Sequence, residues 1–125
     1  MFLEHSQLKE NTTIEISGSK SISNRLLILH QLFENILIEN LSNSQDTQLL
    51  QAALQSDSEI IDIHHAGTAM RFLTSYYAIQ EGKTVILTGS ERMKQRPIKF
   101  LVDALRDLGA EISYLEIEGF PPLKI

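Results

Sequence analysis

The sequence predicts a mixed α/β domain, and three observations carry that prediction. β-branched, alternating segments are followed again and again by apolar stripes of helical period. Gly18-Ser19, Gly67-Thr68 and Gly89-Ser90 each lie near an expected strand end and ahead of an expected helix, as a faint internal repeat. The 125 residues, 42% of them hydrophobic, suffice for one modest domain with a core, and no low-complexity linker divides them.

The elements follow in order. Thr12 to Ser17 is β-branched and alternating, which predicts a short strand. A helix is expected from about Ser21 to Phe33, capped by Ser19 or Ser21, with Ile22, Leu26, Leu29 and Phe33 as its core-facing stripe. Asn35 to Leu41 reads as a strand. Ser44-Gln-Asp-Thr47 caps a second helix with Leu49, Leu50, Ala53 and Leu54 on its apolar side. Glu59 to Ile63 is the next strand. Gly67 opens a helix carrying Ala69, Phe72, Leu73 and Tyr76 on one face, and Gly82 closes it. Lys83 to Thr88 is a strand, and Pro97 suits a first helical position. Ile98, Leu101, Val102, Leu105 and Leu108 keep helical spacing up to Gly109, the expected residue just past a helix end. Glu111 to Glu116 is a strand. Leu123-Lys-Ile125 resembles a strand just beginning, which suggests a piece of a longer protein.

Composition excludes several function classes. Without cysteine there are no disulfides and no thiolate metal sites. A net charge of −5 gives no bulk attraction to nucleic acid or anionic lipid. There is no membrane-length apolar run and no signal-peptide pattern, so a cytoplasmic protein is expected.

Against that acidic background, three cation-rich helix starts stand out. Ser17-Gly-Ser-Lys-Ser-Ile-Ser-Asn-Arg25 places two cations, hydroxyls and an amide at the positive end of a helix, where Ser21 and Arg25 share a face, as do Lys20 and Asn24. Cations repel that helix end, and a bound phosphate or carboxylate removes the conflict. In His65-Ala-Gly-Thr-Ala-Met-Arg71, Gly67 permits close backbone approach, and Thr68 and Arg71 share a face. Taken alone, that segment reads more plainly as an ordinary Gly-Thr helix start with a surface arginine. In Arg92-Met-Lys-Gln-Arg-Pro97 an extended chain would point Arg92, Lys94 and Arg96 to one side, and a solvated charge run accounts for the segment equally well. Together the three imply a small, multiply anionic ligand. None is a Walker P-loop or a dinucleotide fingerprint. His64 and His65, being adjacent in a strand, would face opposite ways and could not share a metal. Asp46 is expected to cap a helix, and no nucleophile–base or paired-carboxylate arrangement can be assigned.

Gly18-Ser-Lys-Ser-Ile-Ser-Asn-Arg25, Ala66-Gly-Thr-Ala-Met-Arg71 and Arg92-Met-Lys-Gln-Arg-Pro97, in this order, resemble the 3-phosphoshikimate 1-carboxyvinyltransferase (EPSP synthase) family. Leu101-Val-Asp-Ala-Leu-Arg-Asp-Leu-Gly-Ala110 and Gly119-Phe-Pro-Pro-Leu123 resemble it as well. The resemblance implies an α/β fold of two lobes, each built from repeated βαβαββ units. This chain would supply one unit and part of a second. Residues 1–16 would carry a first strand belonging with the other lobe, and 17–125 part of the first lobe.

The implied reaction joins the 5-hydroxyl of shikimate 3-phosphate to C2 of phosphoenolpyruvate and expels phosphate through a tetrahedral intermediate, in aromatic amino-acid biosynthesis. No cofactor, metal, nucleic acid or membrane is implied. The parent would be monomeric, and the fragment would be inactive and prone to self-association. Lys20, Ser21 and Arg25 would hold shikimate 3-phosphate. Lys20, Gly67 and Arg96 would bind phosphoenolpyruvate, with Thr68, Arg71 and His65 shaping the pocket. The family's proton-transfer residues would lie outside this chain. Three departures are visible. Ser17 replaces the usual Pro, His65 replaces the common Asn, and the stretch between Leu54 and Glu59 is short. The competing readings are a stand-alone anion-binding or regulatory domain derived from the same fold, and an unrelated phosphate-binding protein with mimicking motifs.

Overall fold

The computed structural model describes residues 11–33 and 35–125. In chain order its elements are α1 (Lys20–Leu32), α2 (Gln45–Leu54), β1 (Ile60–Asp62), α3 (Gly67–Tyr77), β2 (Ile86–Thr88), α4 (Glu91–Lys94), α5 (Lys99–Asp107), β3 (Ser113–Tyr114) and β4 (Leu123–Lys124). The strands form one four-stranded sheet of order β1-β2-β4-β3. β1 and β2 are parallel, with Ile61 beside Leu87, while β4 runs antiparallel to both β2 and β3. Apart from short α4, the path from β1 through α3, β2, α5, β3 and β4 is one βαβαββ unit. α1 and α2 precede it, and α2 packs between α1 and α3.

The core follows the apolar spacing in most elements. Leu50 and Ala53 of α2, Ala69, Met70, Leu73 and Tyr77 of α3, and Val102 of α5 are buried with Ile61, Ile63, Val85, Leu87 and Leu123 from the sheet and its margins. Ser44 caps α2 as its sequence predicts, its hydroxyl accepting from the Thr47 amide at 3.4 Å. Gly109, just past α5, takes a φ of +100°, where a side chain would be strained.

Several expectations need correcting. Thr12 to Ser17 is not a strand, and Ile14 and Ile16 are each 79% exposed. A strand needs a neighbour to receive its ladder bonds. The segment is held instead by side-chain bonds: the Asn40 amide donates to the Ile16 carbonyl at 3.3 Å, and the Ser17 hydroxyl donates to Asn43 Oδ1 at 3.0 Å. Residues 1–10 of the expected first segment lie outside the described residues. Asn35 to Leu41 is likewise irregular. α3 ends at Tyr77, not at Gly82, which sits in the following turn with φ +71°. α5 begins at Lys99, so Pro97 precedes it rather than opening it.

α1 is rotated relative to its predicted stripe. Ile22, Leu29 and Phe33 are exposed, and the buried residues are Ser23, Asn24 and Leu27. Partners satisfy the oxygens of these buried polar groups, while the Asn24 side-chain amide nitrogen is buried with no partner among the described residues. The Ser23 hydroxyl accepts from the Ser42 amide at 3.0 Å, and Asn24 Oδ1 accepts from the Thr47 hydroxyl at 2.7 Å. These bonds tie α1 to the chain leading into α2 and leave Ile22, Leu29 and Leu32 outside. Leu29 and Leu32 thus line an open groove with Phe72, Tyr76 and Ile79.

Tyr77 closes the far end of α3. Its hydroxyl donates to the Ala53 carbonyl at 3.1 Å, and burial, with a smaller contribution from Tyr76, pushes its pKa up to about 12. The folded state thus favours the neutral phenol over the unfolded chain, whose tyrosines titrate near 10. That stabilisation is complete below pH 10 and is lost as pH rises through 12. Denaturant melts of wild type should therefore lose stability over this window, and Tyr77→Phe should lose less. Equal losses would contradict the assignment.

Candidate anion-binding site

Lys20, Ser21 and Arg25 open α1, where Ser19 occupies the cap position but its side chain makes no capping bond. The Arg25 guanidinium donates to both the Ser21 carbonyl (2.8 Å) and the Ser21 hydroxyl (2.7 Å), so these residues do share a face. It also lies over the Phe72 ring of α3, 5.6 Å from its centre. Asn24 is turned inward, and Lys20 reaches sideways to pair with Asp46 in the first turn of α2 at 3.2 Å. Asp46 is thus a salt-bridge partner of a candidate ligand. The helix-cap reading misassigned it, since Ser44 does the capping. Gly18 makes this turn possible, because a Cβ there would overlap the Asn40 carbonyl oxygen.

The second cluster joins the other two segments. At the start of α3, Ala66 holds the cap position with no side-chain bond, so the first amides of the helix have no side-chain acceptor. By contrast, Ser44 and Ser90 hydroxyls cap α2 and α4, while α5, like α1 and α3, has no side-chain cap. The Arg96 guanidinium packs directly on Gly67: a Cβ on Gly67 would lie 2.8 Å from Arg96 Cζ. The space opened by Gly67, which the sequence suggested for a ligand, is therefore filled by the arginine assigned to the same ligand. Arg71 donates to the Pro97 carbonyl at 2.9 Å and pins the turn that carries Arg96. Thr68 is half-buried in the first turn of α3.

Arg92, Lys94 and Arg96 do not form the expected extended row. Residues Glu91–Lys94 are helical, with the Ser90 hydroxyl accepting from the Met93 amide at 3.3 Å. Proline restricts only the residue just before it, and that restraint does not reach back over four residues. Helical geometry turns Lys94 away, to Glu116 at 2.9 Å and Glu91 at 3.6 Å. Glu116, chiefly by accepting its hydrogen bond, holds the Lys94 pKa above its ordinary value. Arg92 and Arg96 remain together, lining a cavity of about 480 Å³ with His65 and Met93. His64 and His65 lie in a turn after β1 and not in the strand. His64 adopts φ +47°, its amide donating to Asp62 Oδ1 at 2.7 Å.

The structure thus brings Gly67, Arg71 and Arg96 into contact, with His65 beside Arg96, and it holds Ser21 and Arg25 together on α1. It does not bring Lys20 to Gly67 or Arg96: its ammonium is on Asp46. Arg25 of the first cluster reaches α3, the helix that carries Gly67 and Arg71, where it lies over Phe72. A larger cavity of about 870 Å³ lies at the opposite end of α3, but its Arg106 is committed to the Ile112 carbonyl and its Lys83 lies over the Tyr77 ring. Among the described residues no group of three or more His, Cys, Asp or Glu could hold a metal, and no helix is long and apolar enough to cross a membrane.

Fold and site together define an α/β domain on a βαβαββ unit, with arginines gathered at uncapped helix starts. Residues 49–125 match the family model described as EPSP synthase (3-phosphoshikimate 1-carboxyvinyltransferase), and the chain belongs to that family. Proteins named 3-phosphoshikimate 1-carboxyvinyltransferase from Bacteroides fragilis (strain YCH46) and Shewanella pealeana are 54% and 40% identical over 96% and 94% of this chain. This chain spans only 29% and 34% of their lengths. A solved EPSP synthase from Acinetobacter baumannii superposes with a TM-score of 0.73 over 90% of this chain and 31% of its own, at 20% identity, and so shares the fold.

The contact at Gly67 yields a specific expectation. In Gly67→Ala the new methyl meets the flexible end of Arg96, not backbone, so the chain should fold and Arg96 should move. The melting temperature should change by only a few degrees, while the Arg96 Nε–H resonance shifts. An unfolded variant, or an unmoved Arg96, would contradict this geometry.

Proposed function

We propose that this chain is the substrate-gripping part of a 3-phosphoshikimate 1-carboxyvinyltransferase, which moves the carboxyvinyl group of phosphoenolpyruvate onto the 5-hydroxyl of shikimate 3-phosphate and releases phosphate. The observation that carries the reading is the junction of Gly67 and Arg96. There an uncapped helix start meets a guanidinium that has no ion-pair partner among the described residues. Helix amides and guanidinium both favour phosphate and carboxylate oxygens. Gly67 and Arg96 then take phosphoenolpyruvate, with Thr68, Arg71 and His65 at its margin. Ser21 and Arg25 take shikimate 3-phosphate.

Lys20 serves both anions, and Asp46 holds its ammonium near the α1 start until an anion competes for it. Proton transfer falls to residues outside this chain, as the family resemblance implies. Residues up to Ile16 go with the second lobe and 17–125 with the first. Enclosure by a second lobe would exclude water and strengthen these contacts. The chain alone is therefore inert, and its exposed apolar groove favours self-association.

Calorimetric titration tests the reading. Shikimate 3-phosphate and phosphoenolpyruvate should both bind this chain saturably, and phosphate release should stay at background. Charge-assisted hydrogen bonds contribute roughly 1.5–3 kcal/mol, so Lys20→Ala and Arg25→Ala should each weaken shikimate 3-phosphate binding about ten- to hundredfold. Lys20→Ala should also weaken phosphoenolpyruvate binding. Unchanged affinities, or turnover that tracks the purified chain, would overturn it.

A further inference from the structure

Lys20, Lys94 and Lys99 pair with carboxylates, which offset their charge. Arg25 has no carboxylate partner among the described residues, yet its guanidinium is fixed on two sides. One nitrogen, Nη1, donates to the Ser21 carbonyl at 2.8 Å and to the Ser21 hydroxyl at 2.7 Å, which uses both of its hydrogens. The Phe72 ring of α3 lies against one face, with the guanidinium carbon 5.6 Å from the ring centre. The remaining edge, Nε and Nη2, makes no hydrogen bond among the described residues. That edge carries two parallel N–H groups, the geometry that takes two oxygens of one carboxylate or phosphate. Phe72 is a firm support: it packs against the core on the helix that carries the fully buried Ala69 and Leu73. An exposed arginine otherwise samples many rotamers, and ordering it during binding costs affinity. A flat ring meets a flat guanidinium without using any of its donors.

We propose that Phe72 is a positioning residue for substrate binding: its ring holds the Arg25 guanidinium with the Nε–Nη2 edge presented to an oxygen pair of shikimate 3-phosphate. The inference rests on the reading of Arg25 as a ligand of that anion and adds the residue that orients it. Phe72 acts through Arg25 and touches no substrate. Ser21 restrains the guanidinium from within α1, and Phe72 restrains it from α3, so the orientation also records how the two helices pack. The ordering of the long side chain is thereby completed on folding and not on binding.

The test compares Phe72→Leu, which removes the ring, with Phe72→Tyr, which keeps it, by calorimetric titration of this chain with shikimate 3-phosphate and with phosphoenolpyruvate. Phe72→Leu should weaken shikimate 3-phosphate binding about two- to tenfold, the cost of immobilising one long side chain. Phe72→Tyr should bind it as wild type does. Phosphoenolpyruvate, which Arg25 does not hold, should bind all three chains alike. A spectroscopic readout stands apart from affinity: the Arg25 Nε–H and Hδ resonances should carry the ring-current shift of Phe72 in wild type and in Phe72→Tyr, and lose it in Phe72→Leu. If Phe72→Leu binds shikimate 3-phosphate normally while Arg25→Ala does not, this proposal falls and the functional reading stands. Equal weakening by the two variants, or equal weakening toward both ligands, would mean a packing role only, which also overturns it. If Arg25→Ala itself binds normally, or wild type does not bind shikimate 3-phosphate, the functional reading falls and this proposal with it.

Discussion

The close approach of two turns at the ends of β1 and β2 sets the position of every group in the second cluster. The Ser90 amide donates to the His64 carbonyl at 2.9 Å, and the Ile63 amide donates to the Thr88 carbonyl at 3.1 Å. Gly89 permits this, since a Cβ there would lie 2.5 Å from the His64 carbonyl oxygen and 2.9 Å from Met93 Cβ. With the turns locked together, α3 leaves one and α4 leaves the other. Gly67 and Arg96, 29 positions apart in the chain, are thereby brought into contact. Parallel strands put both turns at the same sheet edge, the general location of ligands in α/β sheets.

The α1 cluster depends on a different device. Ser23 and Asn24 spend their hydrogen bonds on Ser42 and Thr47, so α1 is held in one rotation by directional bonds as well as by apolar contact. That rotation sends Lys20 toward Asp46 and Arg25 across Phe72. The Lys20–Asp46 pair is half exposed on the lysine side, and such pairs add little stability. Its consequence is positional: it keeps a flexible ammonium near the helix start. The net buried arrangement also strands an apolar row on the outer face of α1, which joins α3 in a groove open to whatever covers it.

Much of this was legible because local chemistry decided it. Helical spacing and the Gly109 stop located α5, Ser44 located α2, and Gly67 located the start of α3. The motif resemblance named the family that the comparisons show. What the sequence hid was set by distant partners. The buried face of α1 is chosen by Ser42 and Thr47, and no periodicity within α1 carries that information. The segments Thr12–Ser17 and Asn35–Leu41 have strand composition, but a strand also needs an adjacent edge. The α4 turn was masked by giving Pro97 too long a reach, although Ser90 three residues before Met93 was a readable capping signal. Asp46 was visible as a residue near a helix start, yet its role depends on Lys20, 26 positions earlier.

The central claim is that the α3 start and Arg96 form one anion seat. The most direct measurement is the backbone amide spectrum of this chain titrated with phosphoenolpyruvate. The account predicts that the Gly67 and Thr68 amides and the Arg96 side chain shift on a common saturation curve, while residues of the larger cavity near Gly82 and Lys83 stay still. Shifts confined to that other cavity, or no saturable shift at Gly67, would contradict it.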